Sequence, residues 1–153
     1  MRTVLIEAVV PEASAGTVFA QVCDFASYPR YTDVVREVAV SARPDGSLES
    51  DWSVSFRNGV LRWRERDVLD PATGRITFDQ LDGDFETFSG EWAVDQTGSD
   101  VAVRFEASFD LGMPSLAPMI DPIAERSLTE TIQAVLRGLL GDRVVFPAAR
   151  AQQ

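Results

Sequence analysis

The chain has 153 residues, 45% hydrophobic and 25% charged, which suits one globular domain with a sizeable core. Its 24 acidic and 14 basic residues give a net charge of −10, so nucleic acid and anionic membrane surfaces are poor partners. It has no histidine and one cysteine, Cys23, which removes Ser-His, Cys-His and histidine–metal chemistry, intramolecular disulfides and multi-cysteine metal sites.

Thr3 to Val10 reads as a strand, ended by Pro11. Ser14 is a candidate N-cap for a helix carrying Val18, Phe19, Val22 and Cys23 on its apolar face. Asp24 to Pro29 breaks that helix, and Tyr28 to Asp33 allows one short further turn. Six strands follow: Val34–Ala42, Ser47–Arg57, Val60–Leu69, Arg75–Leu81, Phe85–Val94 and Val101–Leu111. The turns between them are short, and Asn58-Gly59 is a strong hairpin signal. An antiparallel meander is therefore expected.

Pro114 to Gly141 carries an amphipathic stripe, including Ile123, Ser127, Thr131, Val135 and Leu139. Asp121 is its candidate N-cap, with Pro122 in the first turn and Gly141 as its stop. The stripe slants by about 40° per turn, which suits a helix gripped by a twisted sheet. The expected fold is α+β: a seven-stranded antiparallel curved sheet (β-α-α-β6-α) around a long C-terminal helix, as one domain over residues 1–145. The tail 146–153 has little to pack and is expected to be disordered. The N-terminal stretch lacks a signal-peptide core and no run reaches membrane-spanning length, so a cytoplasmic chain is expected.

Alternation places Trp52 and Phe56, Trp63, Phe78, Phe88 and Trp92, and Phe105 and Phe109 on the sheet face toward the helix. One helix does not fill so broad a ring-rich face. An elongated apolar cavity is expected there, with Ser127 and Thr131 facing it from the helix. Leu111 to Met119 is the expected lid, with Met113 and Met119 over one end. Glu65 and Asp67 share the inner face with Trp63, whereas Arg62, Arg64 and Arg66 point to solvent.

The segments IEAVVPEASAGTVFAQVCDFASYPRY (Ile6 to Tyr31) and RWRERDVLDPATGRITFDQLDGDFETFSGEW (Arg62 to Trp92), with the long terminal helix, resemble the START-like, helix-grip superfamily, also called SRPBCC. Within it they are similar to polyketide cyclase/dehydrase and coenzyme Q-binding proteins. The resemblance covers nearly the whole chain. It implies a hydrophobic ligand cavity and, in aromatase/cyclases, an inward arginine on the strand before an Asp-Pro turn. Here the inward positions before Asp70-Pro71 hold Glu65 and Asp67 instead.

Glu65 is the leading candidate proton donor or acceptor, because an aromatic surround raises a carboxyl pKa. Glu86 is its candidate partner. The resemblance places Tyr31 near the cavity mouth, as a donor to a ligand oxygen. The expected function is to hold an aromatic or polyketide-type molecule and steer its cyclisation or dehydration, mostly by orientation. The alternative is a non-catalytic carrier or self-resistance protein for a quinone, lipid or toxic natural product. No metal or cofactor is expected. A carrier protein delivering substrate is a further expected partner, and the chain is expected to be a monomer or weak dimer.

Overall fold

The protein, a computed structural model, is described here over residues 1–147. The chain runs β1 (Arg2–Val10), α1 (Ala15–Val22), a 3₁₀ turn (Phe25–Arg30), β2 (Val35–Ala42), β3 (Leu48–Phe56), β4 (Gly59–Asp70), β5 (Arg75–Gly83), β6 (Thr87–Thr97), β7 (Asp100–Asp110) and α2 (Ala117–Leu140). The strands form one seven-stranded antiparallel sheet in the order β1-β7-β6-β5-β4-β3-β2. Strands β2 to β7 form the expected meander. α1 and the 3₁₀ turn carry the chain from one edge strand, β1, to the other, β2.

Alternation along the strands holds. Ile76, Phe78, Trp92, Val103, Phe105 and Phe109 are buried on the concave face. On the convex face Arg64 pairs with Asp51 at 2.8 Å and Arg66 with Asp45 at 3.1 Å. Gly90 lets Phe78 cross β6, since a Cβ there would lie 2.5 Å from Phe78 Cζ.

The β3–β4 hairpin differs from the expected one. Phe56 pairs with Gly59, so Arg57 and Asn58 form the loop rather than Asn58 and Gly59. Arg57 adopts φ +57°, a left-handed conformation that disfavours a residue with a Cβ. The two-residue shift in register leaves every side chain on its expected face. It sets Trp52 opposite Trp63, and Ser50 opposite Glu65.

α2 also begins earlier than expected. Its N-cap position is Leu116, which makes no side-chain cap, and the first-turn proline is Pro118. Asp121 is therefore not the N-cap. Pro122 lies inside the helix, where it lacks the N–H that would reach the Pro118 carbonyl.

Burial along α2 is uneven. Thr131, Ile132, Val135 and Leu136 are buried, all in its C-terminal half. In the first half Met119 is 71% exposed and Ile123 44%. The C-terminal end is tied down: Gln21 Nε2 donates to the Leu139 carbonyl at 2.9 Å, and Val9 and Val145 exchange backbone hydrogen bonds of 2.8 and 2.9 Å. Phe146, placed by the sequence in a disordered tail, packs on the core with Arg137 over its ring at 4.8 Å. An apolar ring with a wall to meet is not a free tail residue. The rest of that tail, 148–153, lies outside the described residues.

Candidate ligand cavity and its buried acid pair

Between the concave face and α2 lies a cavity of about 110 Å³. Trp52 and Phe56 of β3, Trp63 and Glu65 of β4 and Phe78 of β5 line one side. Phe88, Trp92, Phe105 and Phe109 of β6 and β7 line the other, and Ser127 and Thr131 face it from α2. The rings touch one another: Trp52 and Trp63 stack with centroids 5.8 Å apart, and Trp63 meets Phe88 edge-on at 5.3 Å.

Phe25 and Tyr28 of the 3₁₀ turn also line the cavity, and sequence reasoning missed them. They follow a helix break, where no periodicity reports facing. Ala124, Leu128, Ile132 and Val135 complete the α2 wall, and their positions in the apolar stripe already carried that signal.

Five expected site residues lie elsewhere. Tyr31 packs on α2, where a Cβ at Gly138 would collide with its ring. It lies outside the cavity lining and does not present its hydroxyl to a ligand there. Glu86 is exposed and flanks Gly112, because the residue falls before β6 begins, where strand alternation no longer applies. It cannot partner Glu65. Met113 is 42% exposed, and Met119 and Ile123 are exposed on α2. Met119 and Ile123 both lie on the first half of α2, where no residue is buried.

The polar chemistry gathers on β4. Glu65 is 4% exposed and Asp67 is fully buried. Strand alternation puts both on the inner face, two residues apart. A β-bulge in the β4–β5 pairing falls between Arg64 and Glu65, beside the carboxyl that faces the cavity. Trp63 Nε1 donates to Glu65 Oε1 at 2.8 Å. Trp52 Nε1 donates to Ser50 Oγ at 2.8 Å, and Ser50 Oγ donates to Asp67 Oδ2 at 2.5 Å.

Asp67 Oδ1 is buried with no hydrogen-bond partner among the described residues. A proton held by Glu65 and shared with Asp67 meets that need. Burial pushes the Glu65 pKa well above its ordinary value, and the hydrogen bond and charge of Asp67 push it further, against the opposing Trp63 N–H. Burial also raises Asp67, partly offset by hydrogen bonds from Glu65 and Ser50. The two carboxyls titrate as one unit. Nearby, burial and then the Asp67 charge push the Cys23 thiol up to about 11, so it is un-ionised and not a nucleophile at neutral pH. Tyr28 Oη donates to the Val22 carbonyl at 2.7 Å. Its ring serves the cavity and its hydroxyl serves the backbone.

The sequence contains no lysine, so Schiff-base chemistry is closed to it. The described residues hold no cluster of three or more His, Cys, Asp or Glu suited to a metal. No described helix is long and apolar enough to cross a membrane.

A curved antiparallel sheet closed on a C-terminal helix, with a cavity between them, defines the helix-grip class of START-like proteins. The sequence profile described as polyketide cyclase / dehydrase and lipid transport matches residues 11–136, and the chain belongs to that family. No curated protein sequence matches it significantly. Among solved structures it is similar to a protein from Thermus thermophilus, with 22% identity and a TM-score of 0.81 over 99% of this chain and 100% of that one. It is similar to the Zhui aromatase/cyclase from Streptomyces sp. R1128, with 21% identity and a TM-score of 0.75 over 90% and 93% of the two chains. It also resembles a START superfamily protein from Mycobacterium smegmatis, with 18% identity and a TM-score of 0.71 over 91% and 95%. At these identities the likeness is one of fold.

Proposed function

We propose that the chain binds a hydrophobic, aromatic or polyketide-type small molecule in this cavity and steers its cyclisation and dehydration. The observation that carries the reading is Glu65, a buried carboxyl facing an aromatic cavity, two residues along its strand from the buried Asp67. Such a pair can act as acid and base in turn. With the shared proton on Asp67, Glu65 takes a proton from the carbon next to a ligand carbonyl. The pair then gives one proton to the departing hydroxyl, the C–O bond breaks and water leaves. The pair ends with the single proton it began with. The ring-lined walls supply orientation, the larger part of the acceleration.

The cavity is small beside ordinary ligand pockets of about 300–1,000 Å³. It is also smaller than the engineered apolar cavity of about 150 Å³ that takes benzene, so even a one-ring ligand needs the helix to give way.

A carrier or sequestration role is the second reading. The sparse polar lining favours it, because Glu65 is the only carboxyl reaching the cavity wall among the described residues.

Ligand recovery tests both. The protein is purified from its native host, denatured, and the extract analysed by mass spectrometry. A cyclised or dehydrated product, with turnover lost and binding kept in Glu65→Gln, supports the first reading. An unmodified quinone or lipid, with binding indifferent to Glu65, replaces it with the second. A cytoplasmic location and delivery of substrate by a carrier protein remain part of the proposal and are tested by fractionation and pull-down from the same host.

A further inference from the structure

The surroundings of Glu65 hold more hydrogen-bond acceptors than donors. Glu65 and Asp67 bring four carboxyl oxygens. Gln80, opposite Glu65 across β4 and β5, adds a buried Oε1 with no donor. Against these stand the Trp63 N–H, the Ser50 hydroxyl and one shared proton. The shared proton is the one donor offered to Asp67 Oδ1, Gln80 Oε1 has none, and the pair carries a negative charge with no cation beside it. The described cavity lining includes no arginine. The β4 arginines all face the convex side, where Arg64 and Arg66 are already paired.

An ammonium group in the cavity would meet Glu65, the one member of this cluster that lines the wall, and bring positive charge beside the pair. The rest of the cavity suits the same ligand. Ring faces of Trp63, Phe88 and Trp92 attract a cation electrostatically as well as packing against an apolar body. The chain's net charge of −10 draws cations toward the molecule.

We propose that the Glu65–Asp67 pair makes the cavity selective for an aromatic ligand bearing a protonated amine, and that it excludes carboxylates. The inference rests on the reading that the cavity holds a ligand, and not on any reaction there. A carboxylate entering the cavity would lose its hydration, meet no cation and face a like charge. A neutral ketone can accept only the one proton the pair already shares.

Three molecules of matched shape test this: phenethylammonium, phenylacetone and phenylpropionate. Binding is measured at pH 7 by calorimetry and by tryptophan fluorescence, at low salt and at about 0.5 M salt, where exposed charges are screened. The expected order is ammonium first by about tenfold or more over the ketone, with the carboxylate weakest. The preference should survive high salt, because the pair is buried. Glu65→Gln and Asp67→Asn should each bring the ammonium down to the level of the ketone. If the ketone or the carboxylate binds as well as the ammonium, the selectivity is wrong while the cavity stands. A preference that vanishes in high salt places the cation on the acidic surface and overturns the proposal. If no ring compound binds, the cavity reading fails and this inference goes with it. Should a variant not fold, the ranking in the unaltered protein still decides.

Discussion

Trp52 and Trp63 face each other directly across β3 and β4, their ring planes within 1° of parallel and their centroids 5.8 Å apart. Each indole N–H goes to a different member of the polar network: Trp52 to Ser50, Trp63 to Glu65. The stack therefore sets the cavity wall and the acid pair together. Trp63→Phe keeps an aromatic ring and removes the N–H that opposes the rise in the Glu65 pKa. We expect Glu65 to titrate at still higher pH in this variant. Carboxyl-carbon NMR against pH measures it, and an unmoved or lowered Glu65 titration would count against the network.

Glu65 makes stability depend on pH in an unusual direction. Its pKa in the folded chain lies above its ordinary 4.5. The folded chain thus keeps a proton that the unfolded chain releases. That contribution is fully present below about pH 4.5 and is lost as pH rises through the folded value. Glu65→Gln cannot ionise. It should gain stability relative to the parent at pH 8, on the order of 1 kcal/mol, and gain little at pH 4. Thermal melts at the two pH values test this. Equal differences at both would show that Glu65 does not carry the proton.

Tyr31 and Gly138 form a fitted contact, ring against missing side chain. Gly138→Ala should cost about 1–3 kcal/mol despite the better helix propensity of alanine. In a Tyr31→Ala background the same change should be neutral or stabilising by up to about 1 kcal/mol. Denaturant unfolding of the four proteins gives the coupling. Additive effects would mean the ring does not depend on the glycine.

Arg57 stands at φ +57° in a two-residue hairpin loop. Arg57→Gly relieves a strain of about 1–2 kcal/mol and gives back part of it as unfolded-chain entropy. A net gain of up to about 1 kcal/mol is expected, read as a shift in urea midpoint with an unchanged slope. A loss would show that the arginine side chain stabilises the loop in some other way.

Most of the wall was legible because strands repeat every two residues. Trp63, Phe78, Trp92 and Phe105 could be assigned a face from parity alone, and so could Glu65 and Asp67. What stayed hidden depended on contacts between distant segments. No local pattern says that Glu65 pairs with Asp67 beside it rather than with Glu86, which lies beyond the end of its strand. Asn-Gly is a strong turn signal, yet the observed pairing, which sets Trp52 against Trp63, places the loop one residue earlier. In α2 two prolines compete for the first turn, Pro118 and Pro122, and spacing cannot choose between them. Met119 and Ile123 fall on the exposed first half of that helix, which periodicity does not report. Tyr31 followed the family's pattern into the cavity, whereas a glycine 107 positions later, at Gly138, gives its ring another seat.

The uneven burial of α2 makes it a cantilever, fixed at Leu139 by Gln21 and held more lightly toward Ala117, where Arg2 pairs with Glu125 at 3.0 Å. Amide exchange should therefore be slow near Leu136 and quicken toward Met119, with Pro122 already missing one rung of the ladder. Ala124, Ser127 and Leu128 lie on the loose span and also line the cavity. Whatever fills the cavity would brace that span, and the protected part of the helix would lengthen toward its start. Occupancy could then be followed as a moving boundary of exchange along one helix, without knowing the occupant.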